Sequence, residues 1–341
     1  MPRASCLGFR ILCLGVGAWL SGLAWAQEKI SAPPRFTIAY ATYLGGSQWD
    51  QGREIIVYPD GSALIGAQTM SSDMPVTPGV VQPKYAGDDP SLGHPGVHGG
   101  DCYLARLSAD GKRLLAATYF GGSKQERNVY GLALDKAGNV IITSATRSPD
   151  LPTTEGGFQP EYAGGQADCF AAKLTADLTK LLWCTYVGGA AEESPRGGLA
   201  LDADDNVCLV GTTKSASFPV TPGAYQTRPA GPQSAFVTKL RADGAGLVFS
   251  TLFGGSADDH IIGARVGPSG DIVVAGHTKS PDLPVPPYAA QPKYAGQADI
   301  FLARFAADGR RVLWATYLGG RENEFPEYRL RLNPDGSVLL T

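Results

Sequence analysis

The residues best placed to do chemistry are five acids that recur at one point of a repeated phrase. Asp50, Glu126, Glu193, Asp259 and Glu324 each stand four residues after the second glycine of a Gly-Gly pair. Brought into one ring, carboxylates with backbone carbonyls nearby would hold Ca2+, which takes six to eight oxygen ligands. The competing reading is that each acid caps its own turn by accepting backbone N–H bonds, and it is the stronger of the two. A second group, Asp88, Asp89, His94 and His98, lies in the stretch 87–100. Two imidazoles four apart with carboxylates close by can ligate zinc. No helix fixes that spacing among so many glycines, so an exposed insertion is preferred over a metal site.

His260, beside Asp258 and Asp259, has the chemistry of a general base, but nothing pairs it with a nucleophile and a solvated histidine is the simpler reading. His277 reads as a structural polar residue. The run 202–206 (D-A-D-D-N) has the look of a calcium loop without the D-x-[DN]-x-[DN]-G spacing, and is better read as a hairpin turn. Neither a G-x-S-x-G nucleophile elbow nor an S-x-D-x-G-x-T-W box occurs.

The elements that must position these residues repeat. A-T-Y-L-G-G at 41–46 returns as A-T-Y-F-G-G (117–122), C-T-Y-V-G-G (184–189), S-T-L-F-G-G (250–255) and A-T-Y-L-G-G (315–320), with steps of 76, 67, 66 and 65 residues. A fixed period of this size signals repeated architecture. Each block spells an apolar strand, a tight turn such as Ala137-Gly138-Asn139, and a second strand rich in β-branched residues. A proline-rich loop follows (S-P-D-L-P at 148–152 and 280–284) with a glutamine at 82, 159, 226 or 291. A third strand, a second hairpin and a fourth strand complete the block. Four short antiparallel strands per repeat predict an all-β fold, a β-propeller of four-stranded blades. The expected blades are 47–120, 123–187, 190–253 and 256–318, with a partial fifth at 321–341 and a spare fourth strand at 36–44. A sandwich is the minor alternative.

T-Y-L-G-G, G-N-V, S-x-D-[LF]-P-V-T-P-G, the glutamine and [DS]-x-F-x-[AT]-[KR]-L together resemble the bacterial SBBP repeat, the "seven-bladed β-propeller" repeat, over nearly all of 36–341. The resemblance implies a secreted or surface-associated propeller and no particular reaction. The sequence departs from it in holding four complete blocks and a partial fifth.

Arg3 and Arg10 precede an apolar run that ends in Ala24-Trp25-Ala26, the pattern of a cleaved secretory signal. Residues 1–26 are read as that signal, 27–35 as a linker, and the mature chain as exported to the cell surface or medium, with the periplasm as the other destination. The Cys13 surroundings lack the small residue expected before a lipidated cysteine. With net charge −3 and no basic run, the chain carries no footprint for nucleic acid. Cys102, Cys169, Cys184 and Cys208 read as small unpaired core residues.

In such a blade the long loops and the Gly-Gly connections emerge on one face, the expected place for a protein or glycan ligand. The acids would then ring the mouth of the central channel. Loop aromatics (Tyr85, Phe158, Tyr162, Tyr225, Tyr288, Tyr294) would either stack on sugars or plug the loops onto the blades, the latter preferred. The function expected is a non-catalytic binding or structural module. The alternatives are a lyase or hydrolase with an acid-lined channel mouth, or a ligand-free spacer.

Overall fold

The computed structural model describes residues 37–87, 99–326 and 330–340. The chain divides after Ala39; residues 37–39 carry no strand, and every blade belongs to the larger unit. The described residues hold nineteen strands and no helix. The first blade is β1 (Asp50–Val57), β2 (Ala63–Thr69), β3 (Asp101–Leu107) and β4 (Leu114–Phe120), hydrogen-bonded in chain order. The second is β5 (Gly131–Leu134), β6 (Val140–Thr146), β7 (Asp168–Leu174) and β8 (Leu181–Val187). The third is β9 (Glu193–Ser194), β10 (Leu199–Leu201), β11 (Val207–Thr213), β12 (Ser234–Leu240) and β13 (Leu247–Phe253). The fourth is β14 (Asp259–Val266), β15 (Ile272–Thr278), β16 (Asp299–Phe305) and β17 (Val312–Leu318), and the partial fifth is β18 (Leu330–Leu332) with β19 (Val338–Leu340). All pairings within the sheets are antiparallel. This is the β-propeller of four complete blades and a partial fifth.

In blade three the first strand is split. Pro195 has no N–H to give the ladder, and the Gly198 N–H instead closes a turn onto the Pro195 carbonyl at 2.9 Å. β9 and β10 both pair with β11, so together they make one interrupted strand.

Each strand-one edge is left unpaired in its own sheet and faces the axis, where neighbouring blades meet. Glycine permits the approach: a methyl on Gly131 would lie 2.7 Å from the Leu199 nitrogen, and one on Gly263 would lie 3.2 Å from the Leu330 Cβ. Between blades the core is aromatic. Tyr103, Tyr119, Phe120, Phe170, Tyr186, Phe236, Phe253 and Phe301 are fully buried, each stabilising by roughly 1.5–3 kcal/mol relative to exposure.

The second hairpin of each blade must pass through a left-handed residue, and the side chain covering it comes from the preceding blade or segment. Gly111, Gly244 and Gly309 have φ of 68°, 69° and 66°, and on them lie the rings of Tyr40, Trp183 and Phe249. In blade two the residue is Leu178, at φ 60°, and the corresponding position of blade one is the small Ala116, buried in the same cluster. A side chain from one blade or the other fills the gap. Tyr40 takes this role although residues 40–46 form no strand. Of the spare fourth strand expected at 36–44, residues 37–44 are described and form no strand.

The four cysteines are buried and free. Burial pushes their thiols up, and Glu126 beside Cys102 and Cys184 and Glu193 beside Cys169 add to it.

Candidate functional site

The five repeated acids do not ring a channel mouth. Glu126, Glu193 and Asp259 have no exposed surface, and none of the five lines the cavity on the axis. As the chain enters strand one, the carboxylate is swallowed between the Gly-Gly turn behind it and a Thr-x-Ser turn at the end of strand two. The second glycine's N–H donates to the acid in four blades: Gly46 to Asp50 (2.7 Å), Gly122 to Glu126 (3.1 Å), Gly189 to Glu193 (2.9 Å) and Gly255 to Asp259 (2.8 Å). A threonine hydroxyl donates from the other side: Thr69 to Asp50 (2.5 Å), Thr146 to Glu126 (2.6 Å), Thr213 to Glu193 (2.6 Å), and Thr278 to Asp259. The same hydroxyls accept the N–H of Ser71, Ser148, Ser215 and Ser280. Ser148 and Ser280 add a second hydroxyl to their acids. Each blade therefore carries one polar buckle that ties its first two strands to the preceding Gly-Gly turn.

A second carboxyl lies beside two of these buckles and beside Glu324. Asp101, Asp168 and Asp299 open the third strands that precede Glu126, Glu193 and Glu324, whereas Ser234 precedes the shorter Asp259. The two acids flank the first glycine of the pair: a methyl on Gly319 would lie 2.7 Å from Asp299 Oδ1 and 2.8 Å from Glu324 Oε2. Burial, assisted by the hydrogen-bonded Glu193, pushes Asp168 up to about 7 against the opposing Ala163 N–H. Burial raises Glu126 well above the carboxylate range despite its three hydrogen bonds, and pushes Asp259 up to about 6. Hydroxyls and amides engage Asp50, Glu126, Glu193 and Asp259, whereas, among the described residues, Asp168 Oδ1 and Glu324 Oε2 are buried without a hydrogen-bond donor. No group of three His, Cys, Asp or Glu converges into a metal site among the described residues. Asp88, Asp89, His94 and His98 lie outside the described residues.

Among the described residues the long loops do not form an open binding face either. Each turns back along the outer edge of strand four, where the backbone would otherwise be unpaired. The carbonyls of Gln82, Gln159, Gln226 and Gln291 accept the N–H of Tyr119, Tyr186, Leu252 and Tyr317 at 2.9–3.1 Å. Their Oε1 atoms accept the N–H of the first glycine, at Gly121, Gly188, Gly254 and Gly319. Tyr85, Tyr162 and Tyr294 set their rings edge-on to Tyr119, Tyr186 and Tyr317. Tyr225 packs on Phe253, and Phe158 packs into the blade core. Of the six, only Tyr288 is strongly exposed (81 %).

The opposite hairpins are repeated too. Asp60 pairs with Arg106, Asp135 with Lys173, Asp202 with Lys239 and Asp271 with Arg304. Asp202 also accepts the N–H of Asp204 and Asn206, so the run 202–206 is a hairpin turn.

What differs from blade to blade is the axis. A half-open cavity of about 530 Å3 is lined by β1, β5, β10 and β14 together with the 196–198 break, and its lining includes Arg53, Glu54, Tyr130, Arg196, Ile262 and Arg265. Arg53 and Ile262 sit at register shifts, between Gly52 and Glu54 and between Ile261 and Gly263. A bulge releases one residue from the ladder and re-aims its side chain. The Arg53 guanidinium stacks on the Tyr130 ring at 4.6 Å. Repeat reasoning passes over these residues because they recur only in part: the third place after the acid holds Arg53, Val129, Arg196 and Ile262 in turn.

Arg196 also borders a smaller cleft of about 170 Å3 with Arg127, Glu192, Ser194, Thr212, Lys214, Gln233 and His260. Glu192 pairs with both Arg127 and Lys214 at 2.8 Å. His260 stacks on His277, centroids 4.3 Å apart, and Phe325 meets His277 edge-on. Burial lowers His260 to about 4 and His277 to about 3, so both rings are neutral at pH 7. Gln233 donates to the His260 ring.

No family model and no curated protein matches the sequence. Among solved structures, the chain is similar to a protein of unknown function from Dyadobacter fermentans (14% identity, TM-score 0.46, 87% of this chain and 76% of that one). It is also similar to a putative gluconolactonase (14%, TM-score 0.36, 87% and 86%) and a luciferin-regenerating enzyme (11%, TM-score 0.34, 83% and 80%).

Proposed function

We propose that this chain is an exported propeller of the SBBP type that acts as a non-catalytic binding module for a protein or glycan, with part of the ligand seated in the axial cavity. One observation carries the reading. The polar residues that repeat are consumed by the scaffold, whereas the cavity is lined by residues that change from blade to blade over a constant frame. Repeated scaffolds bind through such variable positions, and about 530 Å3 lies in the range of small-ligand sites. The unpaired strand-one edges offer backbone donors and acceptors to whatever enters.

The reading is tested by titrating the exported chain with a saccharide and peptide panel, alongside Glu54→Trp, which narrows the cavity from a half-buried position. Ligands that lose binding in this variant while its melting temperature holds support the axial site. Binding unaffected by Glu54→Trp would place the ligand elsewhere on the molecule.

A second reading, a lyase or hydrolase, is favoured by His260. A neutral imidazole bordering a cleft with Arg127, Arg196 and Lys214 suits proton abstraction from a group held by cations. Turnover of a uronic-acid glycan that is lost in His260→Gln would establish it, and a chain inert toward such substrates would remove it.

A further inference from the structure

We propose that the axial cavity is an anion site, and that its ligand is a small molecule carrying two or more carboxylate or phosphate groups. This rests on the reading of that cavity as the ligand site and adds the ligand's charge. Three guanidiniums, Arg53, Arg196 and Arg265, and a single carboxylate, Glu54, line one half-open cavity in a chain whose net charge is −3. They come from blades one, three and four, so they surround the cavity rather than forming one surface stripe.

The surroundings strengthen them. Four of the five repeated acids lie in their buckles, and none of the five, which would oppose an anion if they faced the channel, lines the cavity. The walls are low-dielectric sheet, and field lines from like charges concentrate in such a space. Arginine is suited to the task because its planar fork grips carboxylate or phosphate bidentately. The backbone prepares the geometry: Arg53 is turned out by a bulge and steadied on Tyr130, while Arg196 sits in the break between β9 and β10. A cavity of about 530 Å3 admits a ligand of one or two sugar rings or a compact polycarboxylate, not the interior of a folded partner.

The test is calorimetric titration of the exported chain with four probes: digalacturonic acid, citrate, inorganic phosphate and neutral maltose. The expected result is binding of at least one anion and none of maltose. Arg196→Gln should weaken the anion about tenfold or more, as expected for loss of a charge-assisted pair. Arg265→Gln, at an exposed position, should act in the same direction and carries the test if the first variant fails to fold. Glu54→Gln should tighten anion binding several-fold, an effect that a merely structural role would not produce. Preference among the three anions separates a sugar acid from a polycarboxylate or a phosphate source.

If maltose binds, the anions do not, and Glu54→Trp abolishes the maltose signal, the cavity is a ligand site and the anion proposal is wrong. If anions bind with affinities untouched by both arginine variants, the proposal is also wrong. Silence from all four probes overturns it, while the broader panel tests the axial site independently.

Discussion

The rim and the axis of this propeller use polar residues in opposite ways. At the rim of the four complete blades an acid, a threonine, a serine and a glutamine make matching hydrogen bonds, and almost every donor finds its acceptor within the fold. Around the axis, structurally related places hold Arg53, Tyr130, Arg196 and Ile262, and the polar groups face a cavity. The difference teaches how to read a repeat. A polar residue that returns in each copy at a buried place is part of the joint, because each copy must close the same turn. Residues that vary over an unvarying backbone are the ones free to suit a ligand.

The strongest way to break this comparison is to remove a rim acid. Glu193→Ala leaves the Thr213 hydroxyl and the Gly189 N–H without their acceptor in a dry site. Each orphaned donor costs roughly 1–3 kcal/mol, so urea unfolding should show a loss of about 3 kcal/mol or more. Unchanged stability would mean that the buckle does not hold the blade together.

A somewhat smaller effect should come from the gap filled alternately by two blades. Ala116→Trp overpacks against Leu178 and should cost roughly 1–3 kcal/mol, whereas Ala116→Trp combined with Leu178→Gly should recover most of that loss. The double-mutant cycle reads the coupling directly, and additive losses would contradict the reciprocal filling.

These two predictions also mark how much was legible beforehand. The blades were, because the Gly-Gly period and turn residues are local signals repeated five times. The capping role of the acids was half visible: Thr146-Arg147-Ser148 and its counterparts recur as faithfully as Glu126, and that coupled recurrence was the available sign of a joint. The return of the loops along strand four was not legible, since it depends on which edge a proline-rich segment meets after folding. The axial arginines were easily missed by a search for recurrence, since Arg53 and Arg196 share a place that Val129 and Ile262 hold in the other complete blades, and the bulge that turns Arg53 inward leaves no mark in composition.

Protonation separates the regions further. Asp168 has its folded pKa raised to about 7, so its contribution to stability is complete below the ordinary carboxylate range and is lost as pH rises through about 7. Asp259, raised to about 6, acts with the same sign. His260 and His277, lowered to about 4 and about 3, act oppositely: the unfolded rings take up protons near pH 6.5, so stability falls as pH drops below that value. Asp168→Asn isolates the first effect. It should raise the melting temperature by a few degrees at pH 8 and by little at pH 5. An equal shift at both values would mean that Asp168 is ionised throughout.

The smallest stability effect is expected at the axis. Arg196→Gln should change unfolding free energy by about 0.5 kcal/mol or less, as for an exposed surface position. A loss comparable to that of Glu193→Ala would make Arg196 part of the frame.

The most direct measurement sets the two regions side by side: titration of digalacturonic acid into Glu193→Gln and Arg196→Gln, with the melting temperature of each recorded in the same buffer. The account predicts a lowered melting temperature with wild-type affinity for Glu193→Gln, and a wild-type melting temperature with lost affinity for Arg196→Gln. The reverse pattern, with binding lost at the rim acid and stability lost at the axial arginine, would contradict it.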